Sequence, residues 1–297
     1  MRGSRLWRLR RAVFLVRRSP PRLARPLSVV VRARPPERPV LVVGCPRSGT
    51  TLLRQALLAS GRLASVQAEG HILWNEFHPP RRRVATSDAL GGDDVSERER
   101  RYVHLAVRLF ARGGRFLDKT PESCLRIGYL DALFRDATFV FLHRRAADNV
   151  NSLIEGWRAR PRFVTHRLSE PLTNIAPLDG ERWSFTLVPG WLELRDAPLE
   201  EICARQYVAC NEAVLRARAA MPAERWIDVA YEDLAEDLPR VYAALGLPWT
   251  PAALEPLARP AATALTPPRP DKWRVQNGEA IERILPLVAP TEAALGR

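Results

Sequence analysis

The sequence predicts an α/β protein, a three-layer sandwich with a central parallel sheet and helices on both faces. Two observations carry that expectation. The continuous apolar runs "VLVV" (40–43) and "ATFVFLH" (137–143) have the composition of strands buried on both faces. Amphipathic stretches of helical length lie between such runs, and strands that alternate with helices build parallel sheets. The 297 residues and 46% hydrophobic content suffice for one large α/β domain or two small ones.

The elements follow in order. Residues 1–39 hold twelve arginines and one acid, Glu37, a net of +11 out of the chain's +13, which leaves +2 for residues 40–297. The basicity therefore belongs to an arm, residues 1–38, read as flexible, with the Pro-rich residues 19–39 as a linker. Its apolar stretch "AVFLV" is far shorter than the roughly 20 residues a membrane span needs, and no small-residue cleavage site marks a signal peptide. Three readings of the arm stay open: a solvated tail, a basic amphipathic helix on an anionic membrane surface, and a nucleic-acid contact. Because the body is nearly neutral, no specific nucleic-acid recognition is expected of it.

The domain is placed at 39–297. "VLVV" is the first strand, residues 50–60 are a helix closed by Gly61, and the polar stretch 79–96 is a loop. Residues 96–112 read as a helix, 115–118 as a strand, 123–135 as helical, 137–143 as a strand and 146–158 as a helix. Residues 159–197, rich in Pro and Trp, read as irregular. A long amphipathic helix follows at 199–221. "RWIDVAYEDL" (225–234) is a strand entering a helix that closes at "LGLPW" (245–249). The Pro-rich residues 259–270 lead to a final helical segment near Glu279.

"GCPRSGTTLL" (44–53) raises the question of chemistry. Gly44 and Gly49 have the spacing of the phosphate-binding loop G-x-x-x-x-G-K-[ST], but Thr50 stands where that loop has lysine. Backbone N–H groups from Arg47 to Thr51 and the N-terminus of the following helix favour an anion. Thr50 and Thr51 add hydroxyl donors, and Arg47 adds a charged fork of donors. A triphosphate enzyme leans on the missing lysine and on Mg²⁺. A sulfuryl group carries fewer negative oxygens than a γ-phosphoryl group, so a metal-free site is the expectation. Cys45, Cys124, Cys203 and Cys210 form no C-x-x-C pair, and Cys203 and Cys210 stand about 10 Å apart along a helix, too far for a disulfide. That usage fits a reducing, cytoplasmic compartment.

With these motifs in place, the sequence resembles the sulfotransferases that use 3′-phosphoadenosine 5′-phosphosulfate (PAPS), most nearly the branch of bacterial and tyrosylprotein sulfotransferases. "GCPRSGTTLL" resembles their 5′-phosphosulfate loop. "FVFLHRRAADNVNSL" (139–153) resembles their 3′-phosphate motif, with Arg144 on its arginine and Ser152 on its serine. Arg145 and Ala146 depart from that motif's usual acid and proline. "DKTPESCLRIGYLDALFRDA" (118–137), "YEDLAEDL" (231–238), "LGLPW" and "DKWR" (271–274) are also similar, so the resemblance spans roughly 38–297. It implies a P-loop-type three-layer sandwich and binding of PAPS, and of its product PAP, by Pro46, Arg47, Ser48, Gly49, Thr50 and Thr51. Arg144 and Ser152 would hold the 3′-phosphate, with Lys272 and Trp273 at its edge, and no metal is required.

Lysine occurs only twice among 46 basic residues, at Lys119 and Lys272, both inside these stretches. A compact ammonium can sit between small oxygens where a guanidinium cannot. The resemblance implies that Lys119, with Arg47, supports charge at the sulfuryl group. It also implies a base soon after the loop, for which Glu69 fits one branch and His71 another. Asp118 either orients Lys119 or caps the next turn, and His143 reads as a packing residue. Trp183, Phe185 and Trp191 either line an acceptor pocket or belong to the core. The acceptor could be a small molecule, a glycan or a lipid, and the arm is a candidate for peripheral membrane contact. A P-loop small-molecule kinase and a PAP-binding protein without catalysis are the competing readings.

Overall fold

The computed structural model describes residues 20–297 apart from 67, 68, 83, 85, 112, 113, 262 and 268, and expectations placed on residues 1–19 lie outside them. Five strands form one parallel sheet: β1 (Val40–Val43), β2 (Leu63–Ala64), β3 (Arg115–Lys119), β4 (Thr138–His143) and β7 (Trp226–Ala230). Their order is β2-β3-β1-β4-β7, and every neighbouring pair is parallel. The chain places β3 on one side of β1 and β4 on the other. This reversal at β1 opens a crevice beyond the carboxyl ends of the central strands, where open α/β sheets bind ligands.

Alternation along each strand builds two cores. Leu41, Val43, Phe139 and Phe141 face one side, and Val40, Val42, Val140 and Leu142 face the other. The first face packs against α4 (Glu97–Ala111), α5 (Ile127–Leu133), α6 (Ala146–Arg158), α7 (Leu199–Ala219) and α10 (Gly278–Ala294). The second packs against α2 (Thr50–Leu58) and α8 (Leu234–Leu245). Phe139, Val140, Phe141 and Leu142 are all fully buried, each contributing about 2 kcal/mol of transfer free energy. The sandwich expected from the sequence is the observed fold. Among the described residues no helix is long and apolar enough to cross a membrane.

Three stretches differ from expectation. Residues Pro20–Leu27 are a helix, α1, rather than a linker. The two leading prolines occupy the first turn, where a missing N–H costs nothing. Ala24 is fully buried against α4, and Arg25 Nη1 lies 2.5 Å from Glu76 Oε1. The linker reading is therefore corrected for these residues. Within 159–197 two short strands, β5 (Val164–Arg167) and β6 (Arg182–Ser184), pair antiparallel. They are too short and too polar to register as strands in sequence. A buried cluster fixes this hairpin to the body: Asp88 Oδ1 lies 3.3 Å from His166 Nε2 and accepts from Arg126 Nη2 at 3.2 Å, while Asp88 Oδ2 accepts Leu187 N–H at 2.8 Å. Finally, α10 is preceded by a short turn of helix, α9 (Trp273–Gln276).

Candidate active site

The loop between β1 and α2 is shaped by two glycines. A Cβ at Gly44 would lie 2.2 Å from the Leu142 carbonyl oxygen on β4. At Gly49 the backbone is left-handed (φ 109°), and a Cβ would lie 2.4 Å from the Tyr231 ring. Arg47 is also left-handed (φ 71°), a conformation that costs a non-glycine residue about 1–2 kcal/mol and alternates the loop's N–H groups into an anion-binding concavity. Gly49 caps α2 without a side chain, so the first N–H groups of the helix, at Thr50 and Thr51, are available to a ligand. Beneath the loop the Ser48 hydroxyl is buried with no hydrogen-bond partner.

The loop opens onto a cleft of about 620 Å³, lined by Pro46, Arg47, Gly49, Thr50 and Thr51 together with Glu69, His71, Lys119, Arg144, Ser152 and Lys272. Eleven of the expected residues thus meet in one cavity, although they come from the segments after β1, β2 and β4, from α2, β3 and α6, and from the 259–272 segment. Ser48 sits below its floor. Trp273 does not reach it: the ring is buried in the core at 5% exposure, with the Arg274 guanidinium 4.3 Å from its centroid. The cofactor-edge role expected of Trp273 is therefore corrected to packing.

At one end of the cleft cations gather. Arg47 Nε donates to Ser152 Oγ at 3.2 Å and its Nη1 to the Thr263 carbonyl at 2.8 Å, with the Phe163 ring 5.0 Å away. The guanidinium thus ties the loop to the serine of the second motif rather than reaching toward Lys119. Arg144 lies 4.4 Å from the Tyr231 ring centroid, and its Nε is buried without a partner. The Tyr207 hydroxyl donates to the Arg144 carbonyl at 3.1 Å and anchors its backbone. Lys272 Nζ donates to Thr266 Oγ1 at 2.6 Å. Burial, then the charges of Arg162 and Arg144, push Arg47 down to about 10. Burial together with Arg144 and Arg47 also lowers Lys272. Cations gathered in one partly buried cleft, lowered first by burial and then by neighbouring charge, suit an anionic ligand.

At the other end Lys119 Nζ donates to Glu69 Oε1, and His71 Nδ1 lies 3.6 Å from Glu69 Oε2. Burial would raise the Glu69 carboxyl, but the His71 hydrogen bond and the Lys119 charge prevail and hold it below its ordinary value. The hydrogen bond to Glu69 raises His71 against the effect of burial. Asp118 positions the pair from below. Its Oδ1 accepts Gly70 N–H at 2.8 Å and the Thr120 hydroxyl at 3.2 Å. Gly70 has no room for a side chain, since a Cβ would lie 2.3 Å from Trp74 and 2.5 Å from Asp118. Asp118 was expected to orient Lys119 or to cap the turn after it; instead it secures the turn that carries Glu69, the partner of Lys119.

Burial pushes the Asp118 carboxyl up to about 6. Its unfolded value is about 3.9, so the folded state holds this proton more tightly. The stabilisation is fully present below about pH 4 and is lost as pH rises through about 6. Asp118→Asn is expected to abolish that slope in urea unfolding and to leave the protein at least as stable at neutral pH. A slope that persists in the variant would assign it to another group.

Sequence reasoning missed several cleft residues. Tyr231, Thr263 and Thr266 line the cleft from segments read only as a strand end and a Pro-rich connection; "YEDL" was the one signal for the first. Phe163 and Phe185 stack with centroids 5.0 Å apart and both line the cleft. Trp183 and Trp191, at 0% and 1% exposure, are core. The three aromatics named from sequence thus divide between pocket and core. His143 packs as expected: Arg297 Nε donates to its Nδ1 at 3.2 Å. Burial and Arg297 push it down to about 4.

The sequence model of the sulfotransferase family matches residues 39–176, the stretch that carries the loop, Glu69, Lys119, Arg144 and Ser152. Residues 39–176 belong to the sulfotransferase family. Solved structures agree in fold. Sulfotransferase STF9 from Mycobacterium avium is 17% identical, with 86% of this chain and 76% of that chain covered and a TM-score of 0.51. A sulfotransferase from Alicyclobacillus acidocaldarius is 17% identical, with 89% and 94% covered and a TM-score of 0.51. The sulfotransferase domain from the curacin biosynthetic pathway is 17% identical, with 75% and 78% covered and a TM-score of 0.50. No curated protein matches the sequence. The family matched by this segment is one of transferases. The sulfotransferase segment ends inside the irregular stretch, but β7, Tyr231, Thr263, Thr266 and Lys272 lie beyond it and complete its sheet and cleft.

Proposed function

We propose that the protein transfers the sulfuryl group of PAPS to a hydroxyl or amine of an acceptor and releases PAP. The observation that carries this reading is the convergence of a lysine-free phosphate loop, a cluster of cations and a carboxylate–ammonium pair on one cleft. The residues fit the donor. Arg144, which lines the cleft, carries a buried Nε without a partner, and a phosphate oxygen would satisfy such a donor.

PAPS supplies the sulfuryl group and a phosphate leaving group. The loop N–H groups, Thr50 and Thr51 hold its 5′ end, and Arg144, Ser152 and Lys272 hold its 3′-phosphate. Arg47, bonded to Ser152, serves binding in this scheme rather than the charge stabilisation first expected of it. Glu69 takes the acceptor's proton. A carboxylate held low by Lys119 is a weak base. Movement of the Lys119 ammonium from Glu69 toward the reacting oxygens would both stabilise charge there and free the carboxylate to accept the proton. Phe163 and Phe185 offer an apolar wall to the acceptor. We place the protein in a reducing, cytoplasmic compartment, a reading supported by four free, buried cysteines.

The test is calorimetric titration with PAP and with ATP, each with and without Mg²⁺. Expected is PAP binding that does not depend on the metal and weakens at least about tenfold in Arg144→Ala, in line with the loss of one charged hydrogen-bonding group. Preference for Mg²⁺-ATP would overturn the reading in favour of a kinase.

A further inference from the structure

The turn that follows α1 presents apolar side chains to solvent. Leu27, Val29, Val30 and Val31 are 44%, 69%, 78% and 41% exposed. Four large hydrophobics within five residues at the surface are not accounted for by the fold, because Ala24 and Ser28 do the packing and are themselves buried. The backbone of the turn is satisfied internally: Ser28 N–H donates to the Ala24 carbonyl at 2.8 Å, Val29 N–H to Pro26 at 3.4 Å, Val30 N–H to Leu27 at 3.1 Å and Val31 N–H to Leu27 at 2.7 Å. A turn whose amides are already bonded can leave water without stranding polar groups.

Charge surrounds this patch. Arg32 and Arg34 are exposed just beyond it, and residues 1–19 add seven arginines and no acid. Those arginines call for an anionic partner. A nucleic acid would meet the arginines but gain nothing from the valines. An anionic bilayer meets both, with headgroups for the guanidiniums and the acyl boundary for the apolar side chains.

We propose that the Leu27–Val31 turn and its flanking arginines dock the protein on an anionic membrane surface. The Arg25–Glu76 ion pair holds α1 one residue from Asn75, which lines the cleft, so the docked face lies on that side of the active site. This inference stands apart from the donor reading, since PAP binding reports on the cleft alone.

The test is co-sedimentation of the full chain with phosphatidylcholine vesicles, with and without phosphatidylserine. Binding is expected only with the anionic lipid and weaker at high salt. The Val29→Asp/Val30→Asp variant should bind at least about tenfold more weakly while keeping its thermal midpoint and PAP affinity. The Arg32→Glu/Arg34→Glu variant should behave likewise. Equal binding to neutral vesicles, unchanged binding by the valine variant, or retention on an oligonucleotide in place of the vesicles would each overturn the proposal.

Discussion

Lys119→Met is expected to lower kcat by about 10²–10³-fold, the usual cost of removing one positioned donor from developing charge, while PAP affinity changes only a few-fold. The ammonium is 6% exposed, at the end of β3, with Glu69 as its partner. Most of the cofactor's expected contacts come from elsewhere, from the loop and from the Arg144 end of the cleft, so binding and turnover should separate. Lys119→Arg should rescue little, because a planar fork cannot take the place of a point charge in so closed a position. Steady-state kinetics beside calorimetry give the split. A loss of PAP binding equal to the loss of kcat would make Lys119 a binding residue and remove its part in the chemistry.

Glu69→Gln is expected to lower kcat by about 10²–10⁴-fold, the range of general-base assistance, with PAP binding intact. The pH profile supplies a second readout. His71 and Lys119 hold the carboxyl below its ordinary value despite burial, so the base is ionised throughout the neutral range. Wild-type kcat should fall only at acid pH, and the glutamine variant should lose that acid limb. His71→Ala distinguishes the two residues: it should raise the Glu69 carboxyl and move the limb upward without removing turnover. Full turnover in Glu69→Gln would sink the base assignment, and a collapse in His71→Ala instead would move it to the histidine.

Much of this site was legible because it is local. The loop's two glycines, its hydroxyls and the helix behind it are contiguous, and "VLVV" announces the buried strand that delivers them. Arg144 and Ser152 are eight residues apart on one strand–helix unit, so a linear motif records them together. Trp273 was misread for the complementary reason: it is beside Lys272 in sequence, but on a helical turn adjacent side chains diverge, and only Lys272 enters the cleft. Residues 20–27 were read as linker because proline counts argue for one, but Pro20 and Pro21 fall in the helix's first turn and Pro26 at its end.

By itself the sequence determined the alternation of strands and helices, the anion-binding loop without its lysine, and two lysines set among arginines. Each is a property of neighbouring residues, written in propensity and spacing. Only the tertiary structure decided that Glu69 meets Lys119 across fifty positions, that Asp118 holds the turn between them, that Thr263 and Tyr231 close the cleft, and that Val29 and Val30 stay outside the core. Those are long-range contacts, chosen by which faces the sheet buries and where its strand order reverses, and no local pattern encodes them.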